Sequence, residues 1–400
     1  MAPAGHSVAA ARQAMLERVA PLGSELVLLE LVAGRTLAES VIAVRAQPPF
    51  RASAMDGYGI SAADSPTERF TVAGESAAGR PYAGPRLGAR GAVRIFTGAP
   101  VPDGVDRVVP QERARRMGDA VWLEPHEPAR TNIREAGVDF AAGAVLAARG
   151  VRLSARQLAL IAASGAPAVR VTRRPRVALL ATGDEIVPPG AVAAPHQIYD
   201  SVSFALSASI AQWGGEALRL AARPDAAAAI AAASAEGLER ADLLVIIGGA
   251  SVGDYDIVKS SLGGLGLSLI VERIAVRPGK PTWFGTAAGK PVLGLAGNPA
   301  AALVCAHLFL KPLLQTMLAQ VPDDDSSSAR LQAALPASGP NEWYLRAVSR
   351  TGEDAVLHTR PCDDQDTSLL SVFAAANTLI RRPADAAAAA RDALVEVLWL

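Results

Sequence analysis

Residues 241–256 read ADLLVIIGGASVGDYD. The run Leu243 to Ile247 is continuously apolar, as a strand covered on both faces requires. It stops at Gly248-Gly249, where the missing Cβ lets the backbone turn sharply or approach a ligand closely. Ser251, Gly253 and Asp254 follow, and Asp256 precedes Ile257, Val258 and Leu262, the apolar positions of a helix start. In an open α/β sheet such a loop faces the ligand, because backbone amides and the helix N-terminus point there. Acidic residues are not what a pure anion cradle needs. They suit a cation bridging carboxylate to phosphate or another oxyanion. The same segment reads equally as a plain strand-to-helix turn with Asp256 as N-cap.

Working outward, residues 176–182, RVALLAT, form a second apolar strand that ends in Gly183-Asp184-Glu185. Asp200 or Ser201 caps a helix with Val202, Leu206, Ile210 and Trp213 on one face, and Asp225 caps the alanine-rich helix that follows. Strands are expected at 282–284 and 291–295. The last helix has Asn298 as N-cap and Pro299 at the first helical position. Strands alternating with helices over 175–320 predict an α/β domain with a doubly wound, mostly parallel sheet. Residues 49–136 change character to glycine, proline and short alternating runs, and read as a β-rich insertion domain. Residues 1–48 with 137–174 read as an N-terminal α/β linker domain, returning to helix after Gly137, with Ser7 and Ser154 as helix caps. A polar linker at 322–328 leads to a C-terminal β-barrel or sandwich at 329–400.

Composition narrows the function. The charges cancel, 39 Lys+Arg against 39 Asp+Glu, which argues against nucleic acid held by bulk charge. No apolar run approaches the roughly 20 residues of a membrane helix, and the N-terminus lacks a basic start followed by an apolar block. The two cysteines, Cys305 and Cys362, form no framework and have no metal-like neighbours, which suits a reduced cytoplasm.

Three strand ends should share one edge of the sheet. They carry Asp184 and Glu185, then Ser251, Gly253, Asp254 and Asp256, then Asn298. Gathered carboxylates repel unless they bind a cation or share protons. A divalent metal with oxygen ligands, magnesium, is therefore expected. The segment RIAVRPGKP, 273–281, is the basic counterpart. Arg273, Arg277 and Lys280 together suit a phosphate or oxyanion, or form a solvated turn. No Gly-x-x-x-x-Gly-Lys-Ser/Thr loop and no Gly-x-Gly-x-x-Gly fingerprint stands at a strand end, so the sheet carries no standard nucleotide site.

Seven collinear runs, PPFRASAMDGYG, IFTGAPVP, LLATGDEIVPPG, QIYDSVSF, GGASVGDYD, RPGKP and GLAGNPAAAL, resemble the MoeA family of molybdopterin molybdenumtransferases, which also forms the E domain of gephyrin. The resemblance implies an elongated homodimer of four-domain subunits, with an α/β domain shared in fold with the molybdopterin adenylyltransferase MogA. It implies insertion of molybdate into adenylylated molybdopterin, with magnesium and with release of AMP. The active site would lie between the α/β domain of one subunit and the SAMDGY-bearing domain of the other. By position, the resemblance assigns catalytic roles to Asp56, Thr97, Glu185 and Asp256, with Glu185, Asp256 and Asp56 near the metal. It assigns substrate binding to Ser251, Gly253, Asp254, Arg273, Arg277, Lys280, Asn298, Pro299 and Asp139. Expected partners are the adenylyltransferase and molybdoenzymes or their chaperones. The chain departs from the family at Ala296, at Arg223-Pro224-Asp225 and in the loop QDTSLLS, 365–371. A carrier that binds molybdopterin or the finished cofactor without inserting metal is the alternative function.

Overall fold

The computed structural model describes residues 5–61, 63–64, 69–124, 130–249, 257–323 and 325–400. At its centre is a six-stranded sheet in the order Glu216–Arg219, Arg176–Ala181, Leu243–Ile247, Lys290–Leu295, Trp283–Ala287, Ser268–Val271. The first four run parallel; the last two form an antiparallel edge. The two strands expected at 282–284 and 291–295 are thus the arms of one hairpin, Trp283–Ala287 with Lys290–Leu295.

Side chains alternate across the sheet as strand geometry dictates. Val177, Leu179, Leu243, Val245 and Ile247 pack with helix Val202–Gln212 and the helical run from Pro299. Ala178, Leu180, Leu244 and Ile246 pack with helix Ala227–Arg240 on the other face. All five residues of Leu243–Ile247 are buried, each such apolar side chain contributing ~1.5–3 kcal/mol. The chain leaves Arg176–Ala181 toward one edge and returns to Leu243–Ile247 on its other side. The ends of these two strands are therefore the topological switch point, where open α/β sheets bind ligands.

Residues 57–123 form a separate curled sheet of six strands, with Gly57–Ile60 between Arg107–Pro110 and Gly91–Ile95. The C-terminal strands close a five-membered barrel: Ser326–Leu331, Leu394–Trp399, Thr378–Arg382, Glu342–Thr351 and Leu357–Pro361 pair in a ring. A barrel rather than a sandwich results. The polar linker proves shorter than expected, because Ser326, Ser327 and Ser328 pair along Glu396–Leu398.

Ser7 accepts the Ala10 N–H and caps helix Val8–Leu16, and Ser154 with Gln157 makes a capping box on Ala155–Ala163. After Gly137 the chain is extended and turned until Ser154, carrying strand Val145–Ala147 instead of a helix. One helical run, Pro299–Met317, does reach membrane-spanning length and apolarity, but 89% of its most apolar 18-residue window is buried inside the protein. Length and hydropathy alone do not separate a core helix from a membrane helix.

Candidate active site

The C-terminal ends of Arg176–Ala181, Leu243–Ile247 and Lys290–Leu295 open on a cleft of about 470 Å³. The first end contributes Thr182, Gly183 and Glu185, the second Gly248 and Gly249, the third Gly297, Asn298 and Pro299. Gly248 and Gly249 have φ of 96° and 63°. A Cβ there would lie 2.6 Å from the Thr182 carbonyl oxygen and 2.2 Å from the Val258 side chain. The turn therefore needs glycine for both conformation and space.

Asp225 also lines the cleft. It does not cap the alanine-rich helix: the N-cap is Ala226, with no side-chain cap. The Asp225 N–H instead donates to Asp184 Oδ1 at 3.1 Å. Partial desolvation of the Asp225 carboxyl, and after it the charges of Asp184 and Glu185, push its pKa up. Asp184, Glu185 and Asp225 are thus neighbours at this edge, the last from a position read as a cap. Ser201 is the N-cap of Val202–Gln212 by position, but Asp200 performs the capping: its Oδ1 accepts the Ser203 N–H at 3.1 Å.

Asn298 stands at the N-cap of Pro299–Cys305, yet its side chain makes no cap bond. Its Nδ2 donates to Thr367 Oγ1 of the C-terminal barrel at 2.8 Å, and the Ala300 N–H donates to the Thr367 carbonyl at 3.0 Å. Ser368, next along the same loop, lines the cleft.

Asp56 and Thr97 lie in the curled sheet. Asp56 Oδ1 accepts both the Thr97 N–H and the Thr97 hydroxyl, each at 2.7 Å. These bonds, in that order, hold the Asp56 pKa below its usual value, and Arg94 adds to the effect. The Arg94 guanidinium sits 5.1 Å from the Tyr58 ring and 4.8 Å from the Phe96 ring. Gly57, beside Asp56, has no room for a side chain: a Cβ would lie 2.0 Å from the Val109 carbonyl oxygen. That close strand approach accounts for a glycine in SAMDGYG. Among the described residues, none of this sheet lines the cleft within one chain.

The basic segment is strapped from both sides. His6 bridges Ile274, and Val276–Arg277 pairs with Glu342–Trp343 of the barrel. Arg277 lies 4.8 Å from the Trp343 ring centre. Gly279 packs on Cys305, whose thiol is pushed up to about 12 by burial. Arg277 and Lys280 are exposed and Arg273 is half-buried, and none of the three is on the cleft wall. Asp139 is exposed, its N–H donating to the Gln47 carbonyl at 3.0 Å. Ser251, Gly253, Asp254 and Asp256 lie outside the described residues.

Residues 6–165 match the family model described as MoeA N-terminal region (domain I and II), and residues 178–316 match a probable molybdopterin binding domain. The molybdopterin molybdenumtransferase of Haemophilus influenzae is 35% identical over 378 residues, covering 92% of each chain. That of Nostoc sp. is 35% identical over 334 residues, 80% of this chain and 76% of the relative. The chain belongs to the MoeA family. A crystal structure of the MoeA protein from Pyrococcus horikoshii superposes with a TM-score of 0.85 at 30% identity, covering 98% of both chains. As a MoeA-family member the chain is an enzyme of the molybdopterin molybdenumtransferase class and acts in molybdenum cofactor biosynthesis.

Within the MoeA frame, sequence reasoning missed, among others, Asp225 and Ser368 on the cleft wall and Thr367 behind Asn298. Asp225 was hidden because a lone aspartate before an alanine run looks like an N-cap. Thr367 and Ser368 were hidden because their role depends on how the barrel docks. The only signal was a polar loop, DDQDTS, long for a small barrel.

Proposed function

We propose that the chain inserts molybdate into adenylylated molybdopterin in a magnesium-dependent reaction that releases AMP. The observation that carries this reading is the carboxylate edge at the switch-point cleft, where the Asp225 N–H bonds to Asp184 and where partial desolvation, then the charges of Asp184 and Glu185, raise the Asp225 pKa. Such an edge is unfavourable alone and favourable with a cation.

The donor set fits magnesium. The oxygens are carboxylates, and magnesium is usually held by one or two carboxylates plus substrate phosphates rather than by a protein cage. Among the described residues no three or more candidate ligands converge to form such a cage. Glu185 and Asp225, with Asp256 from the adjoining loop, would hold the ion against the pyrophosphate. When bound, magnesium neutralises charge on that pyrophosphate as it is cleaved. Asn298, Pro299, Ser251, Gly253 and Asp254 would bind the pterin and phosphates. Arg273, Arg277 and Lys280 would collect the molybdate oxyanion. Either Glu185 or Asp256 would orient the attacking water.

Asp56 and Thr97 enter this reading from a second copy. Asp56 is partly exposed and Thr97 exposed, but their sheet lies off the cleft of its own chain, so a homodimer in which the partner's Asp56 completes each cleft is part of the proposal, as are a cytoplasmic location and substrate binding by Asp139. The test is incubation of the purified protein with adenylylated molybdopterin, magnesium and molybdate. AMP and metal-loaded cofactor formed in equal amounts support insertion. Tight binding without AMP release identifies a carrier.

A further inference from the structure

The loop 362–369 of the C-terminal barrel is held by a buried arginine. Arg346 is 2% exposed. Its Nη1 donates to the Asp366 carbonyl at 2.8 Å and the Leu369 carbonyl at 3.5 Å. Gln365 closes the other side: its Oε1 accepts from the Arg346 N–H at 3.0 Å, and its Nε2 donates to the Arg346 and Cys362 carbonyls at 2.9 and 3.0 Å. The Asp366 carboxylate accepts the Ser368 N–H and hydroxyl at 2.8 and 2.7 Å. The span that crosses to the cleft therefore has its backbone tied at both ends. A guanidinium is suited to this, since the two N–H groups of Nη1 alone reach two carbonyls.

What this loop delivers is a two-point contact. The Thr367 carbonyl accepts from Ala300 N–H, doing the capping that Asn298 omits, and the Thr367 hydroxyl accepts from Asn298 Nδ2. Asn298 is thereby freed from its helix and held at the cleft wall. We propose that Thr367 and Arg346 are positioning residues: they latch the C-terminal barrel onto the α/β domain, fix the orientation of Asn298 and present Ser368 to the cleft. The inference rests on the reading of the cleft as the adenylylated molybdopterin site, and it makes the barrel a working part of that site.

Two measurements on the full-length protein test it. Hydrogen exchange of the amides in 300–302 and 365–369 reads the latch without substrate. Thr367→Val should speed exchange there about tenfold, as expected of a lost local tie, while Thr367→Ser keeps the protection. With adenylylated molybdopterin, Thr367→Val and Asn298→Ala should each raise KM about tenfold, the double variant should be no worse than the worse single, and Thr367→Ser should restore KM. Unchanged exchange in Thr367→Val, or additive effects on KM, would overturn the latch. If the wild type does not turn over this substrate, the reading of the cleft fails, and the exchange measurement still decides whether the latch exists.

Discussion

Asp56 and Thr97, 41 residues apart in the chain, are joined by two hydrogen bonds into the same carboxylate oxygen. Two segments that resemble family motifs, SAMDGYG and IFTGAP, thus form one unit. Because the Asp56 pKa is lowered, its contribution to stability is complete above the unfolded value and is lost as pH falls through the lower folded value. Thr97→Val removes the hydroxyl bond and leaves the backbone one. Its Asp56 pKa should rise toward 3.8 in an NMR titration, and kcat/KM should fall about tenfold. An unchanged titration with a lost activity would place Thr97 on the substrate rather than on Asp56.

Asp225 gives the opposite sign. Its pKa is raised in the folded protein, so ionising it costs stability as pH rises from the unfolded value through the folded one, and the cost persists above. A bound cation removes that cost. Asp225→Asn should therefore raise Tm at pH 7 in chelator only slightly, because solvent screens this exposed carboxyl, and should reduce the further rise that magnesium gives the wild type. Equal magnesium shifts in both proteins would remove Asp225 from the metal's surroundings.

Much of this was legible beforehand, for a physical reason. Leu243–Ile247 and Arg176–Ala181 announce themselves because a strand buried on both faces has to be apolar throughout, and each is punctuated by glycine where the loop turns. The position of Asn298 was equally legible, since Pro299 fixes the helix start. Its side-chain partner was not. Thr367 is 69 residues away, on a barrel whose docking no local pattern encodes. The run 299–317 shows the converse limit: its hydropathy is real, but only the packing of sheet, N-terminal helix and barrel around it tells core from membrane.

Arg277→Ala and Lys280→Ala should raise KM for molybdate about tenfold while moving KM for the adenylylated pterin less than twofold, as loss of one charged oxyanion contact predicts. For Arg277, replacement by lysine should recover most of the affinity, because its charge can still lie over Trp343, 4.8 Å from the present guanidinium. Wild-type molybdate dependence in both alanine variants would make the segment a solvated turn.

Gly57→Ala should cost about 3 kcal/mol in urea unfolding. A Cβ there meets the Val109 carbonyl at 2.0 Å, and the neighbouring strand cannot yield without breaking its pairing. Gly118→Ala provides the contrast in space, with nothing within 4 Å, leaving only the strain of its φ of 60°. A loss at Gly57 no larger than that at Gly118 would mean that the strands yield to a Cβ, and that close strand approach does not select the glycine in this motif.

In the proposed dimer, each active site combines the strand-end cleft of one chain with Asp56 of another. Asp56→Ala and Glu185→Ala should each be inactive and folded, since neither carboxylate lies in the core. Mixed under conditions of demonstrated subunit exchange, the two inactive variants should recover activity. About half the dimers are mixed, and each has one cleft with both carboxylates and one with neither, so about a quarter of wild-type activity is expected. No recovery would contradict the account: the two carboxylates would then serve one chain's site or separate functions.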